Sequence, residues 1–178
     1  MTKLLGISGS LRKASYNTML LHEAIRAFAP DHHQVADLNL PLFNADLEAD
    51  GEPESVAILC EQIRWADALV IACPEYNKAP PGLLKNMLDW VSRGRPAPMV
   101  GKHVAVVSAT AGTTGGERTK SALYLMLIPF KVRMVLNPEV HVGDNVNAFD
   151  EDGRLKPGRP KDSLDALMAA LKEEIKRT

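Results

Sequence analysis

A short apolar run, Leu4-Leu5-Gly6-Ile7-Ser8, passes through a loop of small and polar residues into apolar residues at helical spacing over 18–28. A strand of that length and composition is buried on both faces, and a helix with Leu20, Leu21, Ala24, Ile25 and Phe28 on one side packs back against it. This unit commits the chain to a sheet covered by helices. Its loop also has a chemistry. Small residues allow a tight turn, Ser10, Ser15 and Asn17 offer neutral hydrogen-bonding groups, and Arg12 offers a fixed cationic fork, all near the positive end of a helix. Such a loop suits a phosphate, although its serines serve equally well as helix caps. It matches neither the G-x-x-x-x-G-K-[ST] loop of nucleotide hydrolases nor the G-x-G-x-x-G of dinucleotide sites, so a monophosphate fits better than a polyphosphate.

The same alternation continues along the chain. Strands are expected at 35–38, 68–73, 103–108 and 131–136, and helices at 55–67, 83–91, 119–128 and 162–176. Residues 41–54 and 94–101 read as loop, residues 137–150 hold two ambiguous apolar groups, and Asp152-Gly153 reads as a turn. Five strands alternating with five helices imply an α/β fold, a doubly wound five-stranded parallel sheet in a three-layer sandwich formed by residues 1–178 as a single domain. In such a sheet ligands bind beyond the carboxyl ends of the strands, where strand order reverses. The loops at 8–17, 74–81 and 108–116 share that end.

Composition narrows the function classes. The 178 residues carry 21 basic and 22 acidic side chains, a net charge of -1 that gives no reason to expect nucleic acid or an anionic membrane as partner. No stretch approaches the length of a membrane span and no leader pattern follows Met1, which implies a cytoplasmic location without membrane insertion. Cys60 and Cys73 are the two cysteines, too few for a disulfide framework or a zinc site, and both read as packing residues. The five histidines lack metal-ligand spacing, and no Gly-x-Ser-x-Gly elbow is present. No metal and no catalytic side chain is expected; a phosphate site without a nucleophile points to an organic cofactor as the reacting group.

The second loop, Pro74-Glu75-Tyr76-Asn77-Lys78-Ala79-Pro80-Pro81, holds backbone polar groups in fixed directions suited to the edge of a flat heteroaromatic ring. Tyr76 is able to cover the ring face and Asn77 to add a donor and an acceptor. Glu75 is expected to order the loop by pairing with Lys78 or an arginine rather than act as a base. Asn86, Asp89 and Arg93 lie at helical spacing as a polar ladder, read as a solvated face or a subunit contact. The third loop, Ser108-Ala109-Thr110-Ala111-Gly112, lacks bulk and allows a close approach to a ligand.

These motifs resemble those of the NADPH-dependent FMN reductase family, flavodoxin-like proteins that include quinone, chromate and azo-dye reductases. The resemblance is carried by Gly9-Ser10-Leu11-Arg12-Lys13-Ala14-Ser15-Tyr16-Asn17, by Pro74-Glu75-Tyr76-Asn77 with Pro81, and by Leu84-Lys85-Asn86 with Asp89-Trp90 and Ser92-Arg93. It extends through Gly101-Lys102, Gly115-Gly116 and Phe149-Asp150 to the last helix. It implies that Ser10, Arg12, Ser15 and Asn17 hold the FMN phosphate, with Leu11 helping through its backbone. Pro74, Glu75, Tyr76 and Asn77 would meet the flavin ring, and Ser108, Ala109 and Gly112 would approach its other polar edge. The family usually has an aliphatic residue where this chain has Pro80, a departure that leaves the flavin-contact residues intact.

The implied reaction is ping-pong: NADPH or NADH delivers hydride to flavin N5, and a quinone or other small-molecule electron acceptor then takes the electrons. The resemblance also implies a homodimer or homotetramer, with the helix at 83–93 and its flanking loops taking part. Two other functions use the same residues, a flavodoxin-type electron carrier and a noncatalytic flavin sensor. The near-neutral charge argues against a carrier, which needs an acidic docking face.

Overall fold

In the computed structural model, which describes residues 1–177, five parallel strands lie in the order β2-β1-β3-β4-β5. They are β1 (Lys3–Ser8), β2 (His32–Ala36), β3 (Ala68–Ala72), β4 (His103–Ala109) and β5 (Arg133–Val142). The helices are α1 (Tyr16–Phe28), α2 (Ala45–Ala49), α3 (Glu54–Trp65), α4 (Gly82–Val91), α5 (Glu117–Leu127), α6 (Asn145–Ala148) and α7 (Arg159–Lys176), with a 3-10 turn at Ile128–Phe130. The chain leaves β1 for β2 on one side and returns to β3 on the other. The reversal of winding therefore falls between β1 and β3, beside the two loops that begin at Gly9 and Pro74. This is a flavodoxin-like α/β sandwich.

The central strands divide their side chains between two cores. Leu5, Ile7, Leu69, Ile71, Val104 and Val106 pack against α3, α4 and α5. Leu4, Ala68, Val70, Ala105 and Val107 pack against α1 and α7, where Leu20, Leu21, Phe28, Leu164, Leu167 and Leu171 are buried. Period-two alternation thus operates on strands whose two faces are both apolar. No helix among the described residues is long and apolar enough to cross a membrane.

Four elements differ from the sequence expectation. Strand β2 begins at His32, not Val35, and its His32, His33 and Val35 are exposed. It is an edge strand that gains its ladder from β1 alone, so it needs no apolar signature. Strand β5 continues from the expected 131–136 segment to Val142, through Pro138 and a register shift opposite Ala105/Val107. The other edge tolerates the missing N–H, and the bulge absorbs the proline. The loop at 41–54 contains α2, capped by Asn44, whose Oδ1 accepts the Asp46 N–H at 3.0 Å, and none of its residues is buried. The 137–150 segment ends in the single turn α6.

The polar ladder on α4 does not form. Asn86 turns inward, accepting the Phe43 N–H at 2.7 Å and donating to Pro41 O at 3.0 Å. Asp89 pairs with Lys85, and Arg93 pairs with Glu48 of α2 at 2.7 Å. Trp90 is buried, and its Nε1–H also donates to Pro41 O, at 2.8 Å. The side chains of α4 therefore fasten the 41–48 segment over the helix instead of lining up along it.

Candidate flavin site

The first loop is built around hydrogen bonds that its own sequence supplies. Ser15 caps α1 by accepting the Thr18 N–H at 3.4 Å, while Ser10 Oγ accepts the Arg12 N–H at 3.3 Å. Both serines shape the loop. The first-turn N–H groups of Tyr16 and Asn17 have no intrahelical acceptor, which leaves the positive end of α1 facing the cleft. Arg12 makes no ion pair with any described carboxylate; its guanidinium lies 6.0 Å from the Tyr16 ring centroid. Leu11 is exposed.

Close packing brings the second loop against the first. A Cβ on Gly9 would lie 2.8 Å from Pro74 Cδ and 2.9 Å from Leu84 Cδ1, so only glycine fits there. The Gly9 N–H donates to Ala72 O at 2.8 Å, extending the β1 ladder into the loop. Beyond Glu75 the chain makes a two-residue turn in which Tyr76 and Ala79 exchange N–H and C=O bonds at 3.1 Å. Asn77 and Lys78 both have positive φ, 51° and 65°, as a type I′ turn requires. Asparagine tolerates this and lysine is strained by it. Pro80 follows directly and stiffens the exit.

Thr119, fully buried on α5, fixes the start of the second loop. Its Oγ1 donates to Pro74 O at 3.1 Å, and its backbone N–H donates to Glu75 Oε2 at 3.2 Å. Glu75 thus orders the loop through the α5 backbone, and not through Lys78 or an arginine. Ser108 Oγ donates to Cys73 O at 2.7 Å, so its side chain joins β4 to β3 instead of facing the cleft. Cys73 is free and buried, with Sγ 3.2 Å from Thr119 Oγ1; burial pushes its thiol up to about 12, with Glu75 adding to the rise and the Thr119 bond opposing it. The thiol is held as a packing group.

The third loop is joined to α1 by Asn17. Its Nδ2 donates to Ala109 O at 2.8 Å and its Oδ1 accepts the Ala109 N–H at 3.0 Å, both buried. At the far end of that loop Gly116 has φ +90°, and a Cβ there would lie 2.0 Å from Ser108 Oγ, so the loop folds flat onto β4.

The three loops enclose a cleft of about 210 Å³ lined by Arg12, Ser15, Tyr16, Asn17, Pro74, Glu75, Tyr76, Ala109, Thr110, Ala111 and Asn145. Of the expected site residues, Arg12, Ser15, Asn17, Pro74, Glu75, Tyr76 and Ala109 meet there. Ser10, Leu11, Asn77, Ser108 and Gly112 lie outside its lining. Tyr16, Thr110 and Ala111 belong to the quoted motifs and are found by position alone, whereas Asn145 comes from a segment with no recognisable motif. An unpaired guanidinium beside free helix N–H groups fits a phosphate dianion, and the Pro74–Tyr76 wall fits a flat ring, so the residues present accommodate FMN. Among the described residues no cluster of three or more His, Cys, Asp or Glu is placed to hold a metal.

Comparison with known proteins agrees with this geometry. The model of the family described as "NADPH-dependent FMN reductase" matches residues 2–147. The chain is 41% identical over 177 residues to the NAD(P)H-dependent FMN reductase PA1204 of Pseudomonas aeruginosa, covering 98% of this chain and 96% of that one. It is 38% identical over 176 residues to a quinone reductase of Escherichia coli, covering 95% and 93%. Its fold superposes on that of FerB, a flavoenzyme NAD(P)H:(acceptor) oxidoreductase of Paracoccus denitrificans, with a TM-score of 0.90 at 28% identity, covering 99% and 98%. Together with the cleft at the β1/β3 crossover, these matches show that the chain belongs to the NADPH-dependent FMN reductase family.

Proposed function

We propose that the protein is an FMN-dependent NAD(P)H oxidoreductase that passes electrons to quinones or related small acceptors. The observation that carries this reading is the pairing of an unneutralised Arg12 with the open N-terminus of α1, in one cleft with Pro74, Glu75 and Tyr76. Arg12 and the first-turn N–H groups would hold the phosphate, with Ser10 and Ser15 keeping that loop in shape and the Leu11 backbone alongside it. The backbone of Pro74 to Asn77 would address the flavin ring, and that of Ala109 to Gly112 its other polar edge. Bound FMN supplies the hydride acceptance and release that no side chain here provides.

The protein's own contribution is position. Thr119 and Ser108 hold the Pro74 and Cys73 carbonyls, and Asn17 holds Ala109, so the loops that would face the ring are fixed before any ligand arrives. Tyr76, about half exposed at the mouth, is free to cover a ring or a substrate. The names of the relatives support NADPH or NADH as donor and a quinone as acceptor. A homodimer or homotetramer is proposed on the exposed apolar side chains of Val100, Leu125 and Ile128, which leave a surface suited to a second copy. Helix α4 would take part through residues such as Leu83, Lys85 and Asp89, since Leu84, Met87, Leu88, Trp90 and Val91 are buried within the protomer.

The test is steady-state oxidation of NADPH and of NADH, separately, by FMN-loaded protein with a benzoquinone acceptor and a free-flavin control. Acceptor-dependent turnover well above the control is expected. Tight FMN binding without turnover would overturn the enzymatic reading in favour of a binding or carrier role.

A further inference from the structure

Asn145 borders the cleft but belongs to none of the three loops that the sequence motifs define. It opens the single turn α6, directly after Asp144, which is held in left-handed backbone at φ 45°. Its N–H donates to Thr110 O at 3.1 Å, and the Thr110 N–H donates in turn to Val142 O at 2.9 Å. The end of β5 and the third loop therefore lock Asn145 in place. Four residues on, Phe149 packs on Tyr16 with ring centroids 5.6 Å apart, and Arg154 reaches the buried Glu23 of α1 at 2.5 Å. The segment is thereby fastened to the α1 side of the cleft, where Arg12, Ser15 and Tyr16 lie.

The side chain is the anomaly. Asn145 is nine-tenths buried, at 9% exposure, yet its carboxamide makes no hydrogen bond to any described residue. The other two buried amides among the described residues are committed: Asn17 to Ala109, and Asn86 to Phe43 and Pro41. A carboxamide offers two N–H donors and an oxygen with two lone pairs, and those of Asn145 are not sealed inside the protein but remain accessible where the residue lines the cleft. The open side of Asn145 is the cleft, so its partners come from what occupies the cleft.

We propose that Asn145 is a hydrogen-bonding residue for the ribityl phosphate chain of the flavin, an assignment that rests on the FMN reading above. Its location against Thr110, in a lining shared with Arg12 and Ser15, suits the linker between phosphate and ring. Its chemistry matches too. A neutral group able both to donate and to accept pairs with hydroxyls, which do the same, and adds to the cationic recognition by Arg12 without duplicating it.

The test compares binding of FMN, riboflavin and lumiflavin to wild-type protein and to Asn145→Ala and Asn145→Asp, by fluorescence titration of apoprotein whose thermal unfolding has been recorded. Lumiflavin lacks the ribityl chain, and riboflavin lacks only the phosphate. Asn145→Ala is expected to weaken FMN by about three- to tenfold, the loss of one or two neutral hydrogen bonds, while leaving lumiflavin unchanged. Asn145→Asp keeps the shape, removes the donors, and is expected to weaken FMN at least as much. The riboflavin loss apportions the effect between hydroxyls and phosphate. Unchanged FMN affinity in both variants, or an equal loss for lumiflavin, would overturn the assignment while leaving the FMN reading intact. Failure of the wild-type protein to bind FMN would overturn both.

Discussion

The side chain of Asn17 grips both backbone groups of Ala109, donating to its carbonyl at 2.8 Å and accepting from its N–H at 3.0 Å across 92 residues of sequence. A side-chain amide here does what a strand neighbour would do, and it joins the start of α1 to the end of β4. The residue that the motif assigns to phosphate binding therefore has its side chain engaged in holding two walls of the cleft together. Its backbone N–H is the group left to face an anion.

Asn17→Ala should accordingly act on stability as well as on ligand. Two buried hydrogen bonds are lost and Ala109 keeps unpaired backbone groups, a cost of about 2–4 kcal/mol. For a chain of this size each kcal/mol lowers Tm by about 2–4 °C. Calorimetry of the apoprotein checks this; a Tm within a degree of wild type would show that the clamp contributes nothing.

Arg12→Ala removes the only cation lining the cleft among the described residues, and no described carboxylate pairs with it. FMN affinity is expected to fall about 10- to 100-fold, the range for a charge-assisted bond, and riboflavin affinity to stay put. Parallel titrations of the two flavins decide. Equal losses would move the phosphate away from this loop.

Thr119 separates a hydroxyl role from a packing role through two substitutions. Thr119→Val keeps the shape but leaves Pro74 O without its donor, and should destabilise the apoprotein by about 1–2 kcal/mol and weaken FMN several-fold. Thr119→Ser should restore most of both. Urea unfolding and FMN titration of the pair give the comparison, and similar behaviour of valine and serine would assign Thr119 to packing alone.

Cys73 makes stability fall in alkali. Its ordinary value is 9.0 and burial raises it to about 12 in the folded protein, so above pH 9 the unfolded chain sheds a proton that the folded chain keeps. The native state binds more protons, and stability declines from pH 9 toward 12 by up to about 1.4 kcal/mol per pH unit. Below pH 9 the thiol has no such effect. Urea unfolding at pH 8 and pH 10, for wild type and Cys73→Ala, measures it: the wild type should lose more than the variant between the two.

Lys120 is a buried cation with weak partners, the Tyr124 ring 5.7 Å away and a loosely placed carboxylate. It is 1% exposed, its Nζ makes no hydrogen bond, and the nearest carboxylate oxygen, of the half-exposed Glu139, is 3.7 Å away. Burial holds its ammonium below the usual lysine range, against the opposing pull of Glu139. Lys120→Met should stabilise the protein by about 1–3 kcal/mol, because the apolar chain is kept and the desolvated charge is removed. A lower Tm for this variant would show that the ammonium has a role in the fold.

The parts of the fold that the sequence specifies are those in which burial is two-sided. The strands at β1, β3 and β4 and the inward residues of α1, α3 and α7 are written as apolar runs or helical spacings, because each must exclude water wherever it packs. His32 and His33 of β2 and the Pro138 half of β5 carry no such pattern. Each lies on an edge, where one neighbour supplies the ladder and the outer face meets solvent. The helix α2 escapes notice for the same reason, since all its residues avoid full burial.

At the site, the sequence by itself determined the family and the three loops that meet at the carboxyl ends of the strands, the first of them the loop proposed to hold the phosphate. Those features follow from local needs, small residues for tight turns and a helix start for an anion. Only the tertiary structure decided which side chains remain free to bind: Ser108 turns away to Cys73, Asn17 is claimed by Ala109, Glu75 by Thr119, and Asn145 is brought in unpaired from a segment with no motif. A side chain's availability is set by partners distant in sequence, because hydrogen bonds saturate, and a contact 92 residues away leaves no mark on the local pattern.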